Sequence, residues 1–267
     1  MLISKTTTST LTTTAAPTKL LVFSDFDGTL STHDTGVVLI DEWLGRSKRK
    51  ELDGCIFDGT MAMRDVFTIM WNSVRDTLDA ARQKLAHVEL DDGVQEFLTF
   101  AESHQVPVTV VSAGLDILIE EFLEKAGMRV TMDRTKFIEE LGTTQTVESG
   151  LPQVLLVCNK GEANTEKGWQ VEYADESSFG HDKALTIRTF MEEYKKVHHR
   201  VGDENVQLKT VFIGDGISDI SAARCADIVF ARRGLDLHKW CVKNGAECVT
   251  FDSFKEVTAH LQQMVSN

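Results

Sequence analysis

Asp25 and Asp27 stand one residue apart at the end of an apolar run, in LLVFSDFDGTL over residues 20–30. Burial stabilises such a run, but two like charges at its end repel, so the pair needs a chemical reason. Residues two apart on an extended chain project to the same side, so both carboxylates can face one pocket. Gly28 lets the chain turn sharply after them. Ser112 closes a second apolar run, VPVTVVSAG, and Asp215 and Asp219 follow a third, TVFIG. Lys183 opens a helical pattern in HDKALTIRTF. Four carboxylates gathered with one lysine would take up protons unless a cation joined them. Their hard oxygen donors suit Mg2+. Asp25 could then attack phosphorus, giving an aspartyl-phosphate. Asp27 would protonate the leaving alcohol and later take a proton from water. Lys183, the Ser112 hydroxyl and the amides of Ala113 and Gly114 would hold the phosphate oxygens.

These residues need elements that bring them together. Short apolar strands alternate with amphipathic helices along most of the chain, which predicts a parallel α/β sheet with helices on both faces. The strands are VPVTVV, QVLLVCN, TVFIG, DIVFA and ECVTF, besides the first run. WQVEYAD is expected to be one arm of a hairpin. Ligands of open α/β sheets bind beyond the carboxyl ends of the strands, where all the polar residues named above fall. Residues 34–88 interrupt the alternation with a wholly helical pattern. The expected organisation is a flexible tail over 1–18, a core from 19–33 and 89–267, and a helical cap over 34–88. Met63, Phe67, Met70, Trp71, Val74 and Leu78 recur there at helical spacing, which is foremost a packing signal. Trp43 is expected in the same core. Arg64, in MAMRDVF, is the cap residue expected to reach a substrate, and His181 is expected to pack or cap beside Lys183.

The chain has 267 residues, 42% of them hydrophobic, which is enough for a sizeable core. Its net charge of −13 argues against a basic nucleic-acid or membrane surface. No apolar run reaches the length of a membrane span. The five cysteines form no CxxC pair. They read as reduced thiols of a cytoplasmic protein, and the Ser/Thr-rich start lacks the apolar stretch of a secretory signal.

DFDGT, VVSAG, the isolated Lys183 and GDGISD, each at its expected element and in that order, resemble the four motifs of the haloacid dehalogenase superfamily. The resemblance covers roughly residues 20–255 and implies a Rossmann-like core. It implies Asp25 as nucleophile and Mg2+ ligand. Asp27 would be acid/base and touch the metal through its carbonyl. Ser112 would bind phosphate, Lys183 would bridge nucleophile and phosphate, and Asp215 would bind Mg2+. Asp219 would be an outer ligand or orient Lys183. The second aspartate implies phosphoryl transfer, since members that cleave carbon–halogen bonds lack it. The insert after the first motif resembles the helical cap of the phosphoserine-phosphatase-like branch. YADESSFGHDKA and FARRGLDL resemble fungal polyol-phosphate phosphatases and the methionine-salvage phosphatases. His33 and Asp34 replace the glutamate that reads phosphoserine, and Met70 stands near the place of its arginine partner. The expected substrate is therefore a small phosphorylated metabolite, first of all a polyol phosphate. Phosphoserine, phosphocholine and a methionine-salvage intermediate are the other candidate substrates. Transfer to an alcohol, or a phosphate-sensing scaffold, are the alternative functions. A monomer or small homo-oligomer is expected.

Overall fold

A computed structural model of the protein describes residues 18–141, 151–198 and 207–265. Apart from Thr18, the tail expected over 1–18 lies outside them. The strands are β1 (Thr18–Ser24), β2 (Val108–Leu115), β3 (Arg129–Thr131), β4 (Gln153–Glu162), β5 (Gln170–Glu172), β6 (Gln207–Gly214), β7 (Ile228–Arg232) and β8 (Val249–Phe251). Seven of them form a sheet in the order β3-β4-β2-β1-β6-β7-β8, with every neighbouring pair parallel. β5 pairs antiparallel with the end of β4, which makes WQVEYAD the hairpin arm expected of it. The chain leaves β1 toward β2 on one side and returns to β6 on the other. The point where strand order reverses, the usual place for a ligand, is therefore at the end of β1.

Strand alternation divides β1 between two cores. Leu20 and Val22 pack with Phe97, Ile119 and Phe254 on one face. Leu21 and Phe23 pack with Phe137, Phe190 and Leu237 on the other. A strand covered on both faces reads as a continuous apolar run, as residues 20–23 do. The helices that alternate with the strands are α5 (Val94–Ser103), α6 (Asp116–Lys125), α7 (Arg134–Glu140), α8 (Lys183–His198), α9 (Ile220–Ala223) and α10 (Asp236–Asn244), and α11 (Phe254–Val265) follows the last strand. β3 and α7 were not expected. They are three and seven residues long, too short for either period to show in sequence.

Four α-helices lie between β1 and α5: α1 (Thr35–Ile40), α2 (Arg46–Phe57), α3 (Met63–Trp71) and α4 (Leu78–Lys84). They share a third core, in which Leu39, Leu52, Val66, Met70, Trp71 and Val74 pack with Leu115, Leu118 and Trp169. The chain enters and leaves this layer side by side. Ser31 bridges to Leu90, and Thr32 donates its amide to the Glu89 carbonyl at 2.8 Å. Trp43, expected in the core, is instead 44% exposed. Its indole N–H reaches Asp76 at 2.9 Å, and Lys84 lies over its ring. The polar handle of an indole permits such a surface position.

The cap also grips the β4–β5 hairpin. Trp71 stacks on Trp169 with ring centroids 5.7 Å apart, and the Trp169 indole N–H donates to the Asp76 carbonyl at 2.8 Å. Trp169 is fully buried. Burying a tryptophan removes roughly 150–250 Å² from water, worth about 4–6 kcal/mol.

Candidate active site

The carboxyl ends of β1, β2 and β6 converge with the start of α8. The Asp25 amide donates to the Ile213 carbonyl at 2.9 Å, which ties the nucleophile candidate to β6. Its Oδ1 accepts from the Phe26 amide at 2.6 Å and lies 2.8 Å from Lys183 Nζ. Lys183 Nζ also donates to Asp219 Oδ1 at 2.6 Å. Lys183 and Asp219 are fully buried and Asp25 nearly so. Asp219 Oδ2 accepts from the amides of Asp215 and Gly216, each at 2.8 Å. Both Asp219 oxygens are thus engaged. Of the two roles expected of Asp219, orienting Lys183 matches this geometry.

Asp27 turns its carboxylate away from that trio. Its Oδ1 accepts from the Thr35 amide and hydroxyl, at 2.7 and 2.8 Å. Its Oδ2 lies where a side chain on Gly114 would reach, since a Cβ there would come within 2.7 Å of it. Gly28 has φ +73°, and a Cβ on it would meet Asp215 Oδ2 at 2.7 Å. Glycine is therefore required twice around the carboxylates, once for conformation and once for space.

Ser112, Ala113 and Gly114 lie where β2 loses register with β4, between Val111 and Leu115. The Gly114 amide donates to Ser112 Oγ at 3.0 Å. Two buried side chains pin this turn from behind. His181 Nδ1 donates to the Ser112 carbonyl at 2.7 Å, and its Nε2 accepts from the Thr186 hydroxyl at 2.8 Å. Asn159 donates to the Ala113 carbonyl at 2.8 Å and accepts from the Ala174 amide at 2.9 Å. His181, expected to pack or cap, holds the Ser112 carbonyl, and Asn159, which the sequence does not single out, ends the apolar run QVLLVCN at the same sheet edge.

Burial and crowding shape the charges. Burial, reinforced by the Asp219 charge, pushes Asp25 up to about 7 even though Lys183 opposes the shift. Burial and the charges of Asp219 and Asp25 hold the Asp215 carboxyl well above its usual range, against a 2.7 Å hydrogen bond from Thr29. Burial and the nearby Asp34 raise Asp27 against its bonds to Thr35. Burial alone would lower Lys183, but Asp219 and Asp25 keep it above the ordinary lysine value. Burial depresses His181 to about 4.

The donor set fits a hard dication. Carboxylate oxygens of Asp25, Asp215 and Asp219 lie within 4.8 Å of one another. Two of these three groups are driven toward protonation where they stand, and a bound cation relieves that repulsion. Asp27 is outside the carboxylate cluster, so a metal contact from it would come through its carbonyl.

Above these residues is a cavity of about 280 Å³ lined by Asp25, Asp27, Ser112, Ala113, Gly114 and Asp215. Its cap wall is Ile56, Phe57, Met63, Phe67, Met70 and Trp71, so several members of the apolar stripe do face the site. Arg64 is absent from the lining, which corrects the expectation placed on it. Its guanidinium pairs with Glu176 at 2.9 Å and the Asp175 carbonyl at 3.2 Å, and lies 4.8 Å from the Tyr173 ring centroid. α3 presents Arg64 to the hairpin. The arginine that does line the cavity is Arg49 on α2, accompanied by Asp34 and Asp53. A larger groove of about 570 Å³ lies between α4, α5 and α6 and touches none of the site carboxylates.

A parallel sheet reversing at β1, with a buried Asp–Lys–Asp chain at its carboxyl edge, defines a class as well as a shape. The profile of the haloacid dehalogenase-like hydrolases matches residues 22–224, and the chain belongs to that family. It is 30% identical over 250 residues to Pdp3-interacting factor 1 of Schizosaccharomyces pombe, covering 92% of this chain and 96% of that protein. It is 29% identical over 250 residues to polyol phosphate phosphatase PYP1 of Saccharomyces cerevisiae, covering 93% and 95%. Among solved structures, a substrate-bound phosphoserine phosphatase superposes with a TM-score of 0.60 at 18% identity. That match covers 91% of this chain and 98% of the other, and shows the shared fold.

Proposed function

We propose that the chain is a Mg2+-dependent phosphomonoesterase for a small metabolite, with Asp25 as nucleophile and Asp27 as acid and base. The observation that carries this is Lys183 Nζ, buried 2.8 Å from Asp25, which lines the cavity, and 2.6 Å from Asp219. An ammonium there offsets the charge of an incoming phosphate and keeps one lone pair of Asp25 in place. The Ser112 hydroxyl and the amides of Ala113 and Gly114 would donate to the phosphoryl oxygens. Asp25 attacks phosphorus, the ester P–O bond breaks, and the leaving oxygen takes the proton from Asp27. The raised Asp27 carboxyl suits that donor role. Water then attacks the aspartyl-phosphate and gives its proton back to Asp27. The Asp25–phosphorus bond breaks, releasing phosphate. Mg2+, held by Asp25, Asp215 and the Asp27 carbonyl, would supply the positive charge that lets a phosphate approach these carboxylates. Asp219 acts by orienting Lys183.

A polyol phosphate is the substrate class best supported. The support is the yeast relative's name and its 29% identity across nearly the whole of both chains. A 280 Å³ cavity admits a small metabolite and not a folded protein. Among the described residues no helix is long and apolar enough to cross a membrane. A cytoplasmic enzyme, monomeric or a small homo-oligomer, goes with this reading.

The test is phosphate release from a panel of small phosphomonoesters, with Mg2+ and with chelator, on wild type and Asp25→Asn. Mg2+-dependent release is expected, with a loss in Asp25→Asn of at least about 10³-fold, the scale of removing a covalent nucleophile. A folded wild type that binds Mg2+ and releases no phosphate from any ester would refute the proposal.

A further inference from the structure

We infer that Arg49 and Asp53, one helical turn apart on α2, read the leaving group as an uncharged vicinal diol. The inference rests on the phosphomonoesterase proposal and assigns the residues that set its selectivity. Both side chains line the cavity that holds Asp25. Arg49 Nε and Nη2 donate to the two oxygens of Asp41, at 2.5 and 3.2 Å. Its Nη1 donates to Asp53 Oδ2 at 2.7 Å. The guanidinium is thereby locked in one orientation, with three of its five N–H groups used. Two N–H groups of Arg49 and one oxygen of Asp53 remain for a guest.

Charge and hydrogen-bonding capacity together decide which guest. Arg49 contributes one positive charge, while Asp41, Asp53 and Asp34 contribute three negative ones. Arg49 is therefore overcompensated, while Asp236, also in the lining, is paired with Lys239 at 3.0 Å. A second anionic group on the substrate would leave water to face this excess of carboxylates. An ammonium is drawn by this excess of carboxylate but can only donate, and a quaternary ammonium such as choline neither donates nor accepts, so either leaves the free N–H groups of Arg49 without an acceptor. A hydroxyl both donates and accepts. Two adjacent hydroxyls can accept from Arg49 and donate to Asp53 together, with no net charge to desolvate. The remaining cap wall, Phe57, Met63, Phe67 and Met70, suits the carbon chain between them.

A matched substrate pair tests this without any mutation. Glycerol 3-phosphate and 3-phosphoglycerate share a skeleton and differ by CH2OH against carboxylate. Wild type is expected to favour glycerol 3-phosphate in kcat/KM by about tenfold or more, and to favour it likewise over phosphocholine. For ribitol phosphate, Asp53→Asn and Arg49→Gln are each expected to raise KM about tenfold, with a smaller change in kcat. The ratio of kcat/KM for ribitol phosphate over p-nitrophenyl phosphate, which has no hydroxyl, then falls by a similar factor. Thermal melts confirm that the variants fold. A wild type that prefers 3-phosphoglycerate or phosphocholine overturns the assignment. So does a ribitol-to-nitrophenyl ratio unchanged within about twofold in both variants, since that marks Arg49 and Asp53 as structural. Absence of hydrolysis for every ester, p-nitrophenyl phosphate included, removes the phosphomonoesterase proposal itself and is distinguishable from either result.

Discussion

At the residue scale the decisive groups are those whose burial moves their protonation. His181 is buried between the Ser112 carbonyl and Thr186 and sits near 4, against about 6.5 for a free imidazole. The unfolded chain therefore binds more protons than the folded one between pH 4 and 6.5, so stability from this group falls as pH drops through that window. The effect is at most about 3 kcal/mol. The site carboxylates shift the other way, so their contribution has the opposite sign. Comparing wild type with His181→Gln isolates the histidine. Denaturant unfolding at pH 5 and pH 7 should show a smaller pH dependence in that direction for the variant, and equal slopes would contradict this account. At the same scale, Gly114→Ala places a methyl group within 2.7 Å of Asp27 Oδ2. The same methyl would come within 3.0 Å of Ile119 Cδ1 in the core, so we expect kcat to drop about tenfold or more through the acid/base, accompanied by a modest fall in melting temperature. Steady-state kinetics together with a thermal melt checks it.

At the element scale the cap is held by two kinds of contact of unequal strength. The Arg64–Glu176 pair has Glu176 94% exposed, and exposed ion pairs are worth about 0–1 kcal/mol. The Trp71–Trp169 stack is fully desolvated on the Trp169 side. Trp169→Ala is therefore expected to cost about 3–5 kcal/mol, and Arg64→Ala about 1 kcal/mol. Urea midpoints of the two variants measure the ranking, and a larger loss in Arg64→Ala would reverse it. The hairpin that carries Trp169 continues through Tyr173 and Asp175 to Asp182, whose amide donates to Asp175 Oδ2 at 2.7 Å. Lys183 follows at once. The same loop thus grips the cap and presents the lysine, which gives cap position a short mechanical route to the site.

At the scale of the whole molecule, a metal that binds the native carboxylates and not the unfolded chain should stabilise the fold. At about one hundred times its Kd the gain is about 2.7 kcal/mol. Melting in Mg2+ should occur at a higher temperature than in chelator, and Asp215→Asn should remove the difference. Asp25 near 7 means protons compete with the metal. The rise in melting temperature should consequently be larger at pH 8 than at pH 6. An equal rise in Asp215→Asn would show that the cation binds elsewhere. The net charge of −13 makes local positive groups necessary for an anionic substrate, and Lys183 lies 2.8 Å from the proposed nucleophile.

Sequence alone determined what period and order can carry. Strands 20–24 and 108–115 were legible as short continuous apolar runs closed by turn residues, and the helix after Lys183 by the helical spacing of its apolar residues. Asp25, Asp27, Ser112, Lys183 and Asp215 were legible as candidates because each lies at or just past the carboxyl end of an apolar run or opens a helix, where a parallel sheet collects its ligands. Tertiary structure decided the rest. Arg64 and Arg49 are both half-buried arginines on cap helices, and no local pattern tells them apart. The packing of α3 against the hairpin turns Arg64 outward, while Asp41 and Asp53 fix Arg49 on the cavity wall. Trp43 faces solvent because Asp76, thirty-three residues away, supplies a partner for its indole. His181, Thr35 and Asn159 gain their roles from groups distant in the chain or from a turn of exact shape. Such contacts are set by how elements dock, and hydrophobic periodicity records only which face of an element is buried, not what it meets there.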